Sequence, residues 1–143
     1  MIDTISTGNP GLDLILKGGL PASRLYLVEG IPGSGKTTLA LQFLQEGVRK
    51  GERVLYITLS ETREELEVVA ASHGWSLADV EVFEFNSAAD VLGQGRDQTV
   101  LHSWEMELGE TVRLIQDQVD KVQPTRIVFD SLSEMRLLAQ DPL

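Results

Sequence analysis

The chain has 143 residues, 42% hydrophobic and 24% charged, a balance that suits one soluble domain with a buried core and is too short for two ordinary ones. Its net charge of −10 is unevenly placed: residues 1–53 hold six Lys/Arg against five Asp/Glu, whereas residues 54–143 hold six against seventeen. That acidic part is a poor partner for a nucleic-acid backbone, the lack of cysteine excludes disulfides and thiolate metal sites, and no apolar run approaches the roughly 20 residues that span a bilayer.

The start, Met1-Ile2-Asp3-Thr4-Ile5, has neither a basic leader nor an apolar signal core, so a cytoplasmic location is expected. Leu25, Tyr26, Leu27, Val28 and Glu29 form a short apolar run ending at Gly30, and are predicted to be a buried strand. Leu39, Ala40, Phe43, Leu44 and Val48 then recur at helical spacing, with Gly51 as a stop. Residues 53–59 read as a second buried strand. Thr62 followed three positions later by Glu65 has capping-box spacing, and Leu66, Val69, Ala70 and His73 continue that helix to Gly74. Residues 80–85 read as a third strand. Residues 86–103 contain Gly93 and Gly95 and show no period, a length of irregular chain that is often functional. Leu108, Val112, Ile115, Val119 and Val122 mark an amphipathic helix closed by Pro124. Arg126, Ile127, Val128, Phe129 and Asp130 form a strand ending in a carboxylate, and a last helix is expected from near Ser131 through Leu132, Met135 and Leu138. Strands alternating with helices imply an α/β fold, a mainly parallel sheet covered by helices.

One motif dominates the chemistry. Gly30, Ile31, Pro32, Gly33, Ser34, Gly35, Lys36 and Thr37 fit the pattern G-x-x-x-x-G-K-[ST] of a phosphate-binding loop, with a strand expected before it and a helix after it. Glycines let the backbone turn its amides inward around phosphate oxygens, and the following helix adds the positive end of its dipole. The Lys36 ammonium suits the β- and γ-phosphates, and the Thr37 hydroxyl is a hard oxygen ligand suited to Mg²⁺. A chance match in a chain of this length arises on the order of one time in a hundred or fewer. The implied ligands are ATP and Mg²⁺, and the implied class is a P-loop NTPase.

Two carboxylates complete the candidate site. Asp130, at the end of its strand, is the residue type that supports magnesium in such enzymes, while its bland alternative is an N-cap for the helix after it. Glu61, just past the second strand, would lie on the same rim as the loop and could orient the attacking water; its bland alternative is a solvated acid favoured by a helix start. His73 reads as a helix C-cap rather than a ligand, Trp75 as core, and Glu64, Glu65 and Glu67 as a solvated helix face. His102, beside Trp104, has no metal-ligand spacing around it.

Taken together, Thr7-Gly8-Asn9-Pro10-Gly11-Leu12-Asp13, Gly18-Gly19-Leu20-Pro21, Glu29 through Thr38, Leu59-Ser60-Glu61-Thr62 and Phe129-Asp130-Ser131-Leu132 resemble the KaiC family, within the KaiC/RadA branch of RecA-like ATPases. The resemblance runs along the chain from about residue 3. It implies a three-layer RecA-like core, ATP hydrolysis, and assembly into a ring, typically a hexamer with nucleotide between subunits. Clock members of the family autophosphorylate on Ser and Thr, whereas many relatives resemble signalling ATPases with protein partners. Carried over by position, Lys36, Thr37 and Thr38 match the nucleotide-binding residues and Asp130 the magnesium-supporting carboxylate. Two departures stand out. The family pairs two glutamates after the second strand, and here the first is Ser60, which leaves Glu61 as the candidate base. The family's domain also continues through further core strands and a finger residue that reaches a neighbour's γ-phosphate, so residues 1–143 are expected to be one ATP-binding domain incomplete at its C-terminus, binding nucleotide better than hydrolysing it.

Three other functions fit parts of the pattern. A P-loop kinase for a small molecule would need lid arginines, and Arg96 is the only arginine in residues 86–103. A RecA/RadA-type DNA-repair module is opposed by the acidic charge beyond residue 53. A third is a scaffold whose nucleotide only drives assembly, which sizing with and without ATP would test.

Overall fold

The computed structural model describes residues 3–85 and 104–131. The elements in chain order are β1 (Thr4–Ile5), α1 (Pro10–Ile15), β2 (Leu20–Pro21), α2 (Lys36–Arg49), β3 (Val54–Thr58), α3 (Arg63–Ser72), β4 (Glu81–Glu84), α4 (Trp104–Val122) and β5 (Arg126–Asp130). The irregular stretch at 86–103 and the helix expected after Ser131 lie outside the described residues, as do Arg96 and His102.

β3 occupies the middle of a parallel sheet of order β4-β3-β5, with Thr58 level with Glu84 on one side and Asp130 on the other. Its sequence explains the position. Successive side chains alternate between faces, so Val54, Tyr56 and Thr58 share one face and Leu55 and Ile57 the other. All five are buried. A strand apolar on both faces is stable only between two layers of helices. On the Tyr56 face, Leu41 and Leu44 of α2, Leu66 and Ala70 of α3, and Leu77 and Val80 close the core. α4 packs against β3 as well. The result is the three-layer α/β architecture the sequence implied. Thr62 caps α3 in a full capping box with Glu65, His73 is its C-cap, and Trp75 stacks on the His73 ring while packing against the core.

The strand expected at residues 25–29 does not form. Leu25 is 98% exposed and Leu27 and Val28 more than half exposed. A strand is not a local structure: its amides and carbonyls need a neighbour's, and among the described residues β5 is the edge of the sheet with no strand on its far side. An apolar run satisfies half of the requirement and a pairing partner the other half.

Residues 4–21 form a unit whose secondary structure the sequence reading left unassigned. β1 and β2 pair antiparallel around α1, whose N-cap Asn9 accepts the Leu12 amide with Pro10 in the first turn. Gly8, at φ +84°, lies against α2, where an added Cβ would come within 2.8 Å of the Gln42 carbonyl oxygen. Asp13 holds the unit together by accepting from the Ser6 hydroxyl and from both the amide and the hydroxyl of Thr7. Burial works against the Asp13 carboxylate, but these hydrogen bonds and Lys50 outweigh it and hold its pKa below the ordinary 3.8. A depressed carboxylate stabilises the fold above its unfolded pKa, and that contribution disappears as pH falls through the folded value. Asp13→Asn is therefore expected to destabilise the chain at neutral pH, and the gap from the native chain to narrow as pH drops below 3.8. Urea midpoints across pH check this; a gap that does not change with pH contradicts it.

β5 is tied to this unit through its first residue. Arg126 is 2% exposed, with its Nη1 donating to the carbonyls of Ser6 at 2.7 Å and Phe43 at 2.8 Å. Its Nε donates to Glu52 at 2.9 Å, and the guanidinium lies over the Phe43 ring, 4.7 Å from its centre. Gly47 makes the room, since a Cβ there would come within 2.7 Å of Arg126 Cδ.

Candidate functional site

Residues 30–35 run exposed into α2. Gly33 and Gly35 take φ values of +83° and +98°, which only glycine adopts without strain, and Gly35 is the N-cap of α2. At Gly30 the turn is tight, since a Cβ there would sit 2.5 Å from Ser34 Oγ and the Ser34 hydroxyl would have to turn away. Inside this turn Lys36 bends back, its Nζ donating to the carbonyls of Gly30 at 2.6 Å and Ile31 at 3.0 Å. An ammonium has three N–H donors, so one is left over for a further acceptor. Thr37 and Thr38 follow in the first turn of α2, and the Thr38 hydroxyl lies 3.5 Å from His73 Nε2.

The parallel register carries Asp130 to the same rim. Its Oδ2 lies 3.4 Å from the Thr37 hydroxyl, a contact across 93 positions that is longer than an ordinary O–H···O bond. The same oxygen accepts a short hydrogen bond, 2.6 Å, from the Tyr56 hydroxyl. Burial, then the bond to Asp130 and the charges of Asp130 and Glu61, push the Tyr56 phenol far above its ordinary range, so it remains a donor. Tyr56 was missed in the sequence. The available signal was a lone hydroxyl-bearing aromatic in the otherwise aliphatic start of β3, whose O–H must find a partner once buried.

Glu61 reaches the rim by a different device. The Thr58 hydroxyl, fully buried at the end of β3, accepts from the Glu61 amide at 2.9 Å and donates to its carbonyl at 3.0 Å. Partial burial, then the charges of Asp130 and Glu65, raise the Glu61 carboxyl above its usual range, as suits a group that takes up a proton. Ser60 beside it is exposed.

A hydroxyl and a carboxylate at this separation are hard oxygen donors of the kind Mg²⁺ takes, usually alongside water and substrate phosphates. Among the described residues no group of three His, Cys, Asp or Glu gathers as a self-sufficient metal cage. At the opposite end of the sheet a hollow brings Glu52, Asp79 and Glu81 beside Arg53 and Lys121, a mixed surface with no bias towards a polyphosphate.

The profile of the KaiC ATPase family matches residues 5–142. The chain belongs to that family. Among curated KaiC relatives, it is 35% identical over 131 residues to the circadian clock protein KaiC3 of Synechocystis, covering 92% of this chain and 26% of that protein. It is 29% identical over 143 residues to a UPF0273 protein of Aeropyrum pernix, covering 96% of this chain and 57% of the other. The crystal structure of a KaiC-like protein from Pyrococcus horikoshii superposes with a TM-score of 0.75 at 26% identity, again over 96% of this chain and 57% of the other. The chain thus spans between a quarter and just over half the length of these KaiC relatives. The family and the superposition agree with the RecA-like P-loop fold expected from the sequence. Among the described residues, no helix is long and apolar enough to cross a membrane.

Proposed function

We propose that this KaiC-type chain binds ATP with Mg²⁺ at residues 30–38 and Asp130, and that it forms the nucleotide-binding part of a regulatory ATPase. What carries this reading is the convergence of Thr37 and Asp130, 93 positions apart, at the end of a loop inside which the Lys36 ammonium is folded. Gly30 to Gly35 receive the phosphates, Lys36 gives its remaining N–H to them, and the Thr37 and Asp130 oxygens hold the cation side of the site. Mg²⁺, when bound, supplies charge neutralisation between the phosphates. Glu61 orients the attacking water and accepts its proton. In a longer parent, ring assembly would bring a neighbour's cationic finger to the γ-phosphate, and a Ser or Thr could replace water as acceptor. A finger supplied in trans is worth about 10³-fold or more in rate, so a chain without an assembled neighbour is expected to bind nucleotide better than it turns it over. A DNA-repair role is disfavoured by the acidic charge beyond residue 53.

Calorimetric titration with ATP, in magnesium and again in chelator, tests the reading. Saturable binding that weakens about tenfold or more without metal is expected; no binding at millimolar Mg·ATP overturns it. Glu61→Gln is expected to keep the affinity while slowing single-turnover hydrolysis about 10²-fold or more. An unchanged rate removes Glu61 from the mechanism.

A further inference from the structure

Tyr56 is a fully buried side chain that connects the core of the sheet to the candidate metal site. Val54 and Tyr56 face the same apolar cluster of Leu41, Leu44, Leu66 and Ala70, where a phenylalanine would fill the space as well. A buried hydroxyl costs stability unless it is bonded, so its presence gains little for packing alone. Its hydroxyl is spent on Oδ2 of Asp130 at 2.6 Å, the same oxygen that faces the Thr37 hydroxyl at 3.4 Å. Among the described residues no side chain donates to the other carboxylate oxygen of Asp130.

We propose that Tyr56 is a positioning residue for the metal site: its buried hydroxyl fixes the rotation of the Asp130 carboxylate, holding one oxygen towards Thr37 and leaving the other for the cation or its water. The phenol is well placed for this. It stands on the central strand, packed on every side, so it cannot follow a moving carboxylate, and it has a single proton to give. Loss of a hydrogen-bond partner that orients a metal's ligand typically costs about 10–100-fold in metal affinity. The inference rests on the proposed Mg·ATP site and adds a residue that touches neither nucleotide nor metal.

The test is Tyr56→Phe in the full chain, with Mn²⁺ as a spin probe of the metal site. Mn²⁺ affinity in the presence of ATP is measured by electron paramagnetic resonance, and ATP affinity in chelator by calorimetry. Expected is a loss of about tenfold in Mn²⁺ affinity with metal-free ATP affinity within about twofold of the native chain. The same substitution in an Asp130→Asn background should then have no further effect on Mn²⁺, because the group it positions is gone. Native Mn²⁺ affinity in Tyr56→Phe overturns the proposal and leaves the nucleotide reading standing. Equal losses with and without metal overturn it too, as they mark a disturbed core. If the native chain itself shows no metal-dependent ATP binding, the nucleotide reading fails first and takes this inference with it.

Discussion

Arg126→Ala is expected to cost about 3–5 kcal/mol of folding stability, comparable to the whole stability of many small domains. The side chain is almost wholly enclosed and joins four pieces of backbone: Ser6 after β1, Phe43 in α2, Glu52 before β3, and β5 itself. Truncation takes a donor from two carbonyls, leaves the Glu52 carboxylate with the Thr125 hydroxyl alone, and opens a void against Gly47 and Phe43. Lysine does not substitute, because one ammonium cannot reproduce the forked donation to Ser6, Phe43 and Glu52 or the flat stacking on Phe43. Urea unfolding of the native chain, Arg126→Ala and Arg126→Lys checks this. A loss below about 1 kcal/mol for the alanine variant would show that the cluster contributes only as much as a surface ion pair.

Lys36→Ala is expected to lower Mg·ATP affinity on the order of 100-fold while leaving the fold intact. Charge-assisted hydrogen bonds to an anion contribute about 1.5–3 kcal/mol, and each 1.4 kcal/mol is about tenfold in affinity. Among the described residues Lys36 donates only to the carbonyls of Gly30 and Ile31 within an exposed loop, so its removal is expected to leave the core in place. Far-ultraviolet circular dichroism should be unchanged, and calorimetry should show the loss. Affinity within about threefold of native would mean that the loop amides alone hold the ligand, and the lysine would lose its assigned part.

Much of this was legible in the sequence because the decisive signals were local. The phosphate-loop pattern needs only its own glycines and lysine, the capping box at Thr62 only Glu65, and β3 only its unbroken apolar run. The place of Asp130 was legible because an acidic residue ending an apolar strand meets the loop on one rim of a parallel sheet. What escaped was non-local. Residues 25–29 have the composition of a strand, yet pairing depends on a neighbour that no periodicity reveals. Arg126 was read only as the first residue of a strand; its burial depends on Gly47, 79 positions earlier, leaving room. Tyr56 passed as core because the hydroxyl's partner lies 74 positions away.

β5 bears an anchor at each end. Arg126 and Asp130 lie four positions apart, so both side chains project from the same side of the ribbon, about 13 Å from one another at ordinary strand rise. Shifting this segment by one step against β3 would turn the guanidinium out of its enclosure and the carboxylate away from Thr37 in a single move. Whatever holds the chain folded at one extremity therefore also sets the alignment of the chemical groups at the other, so errors in threading this short segment would extinguish both at once.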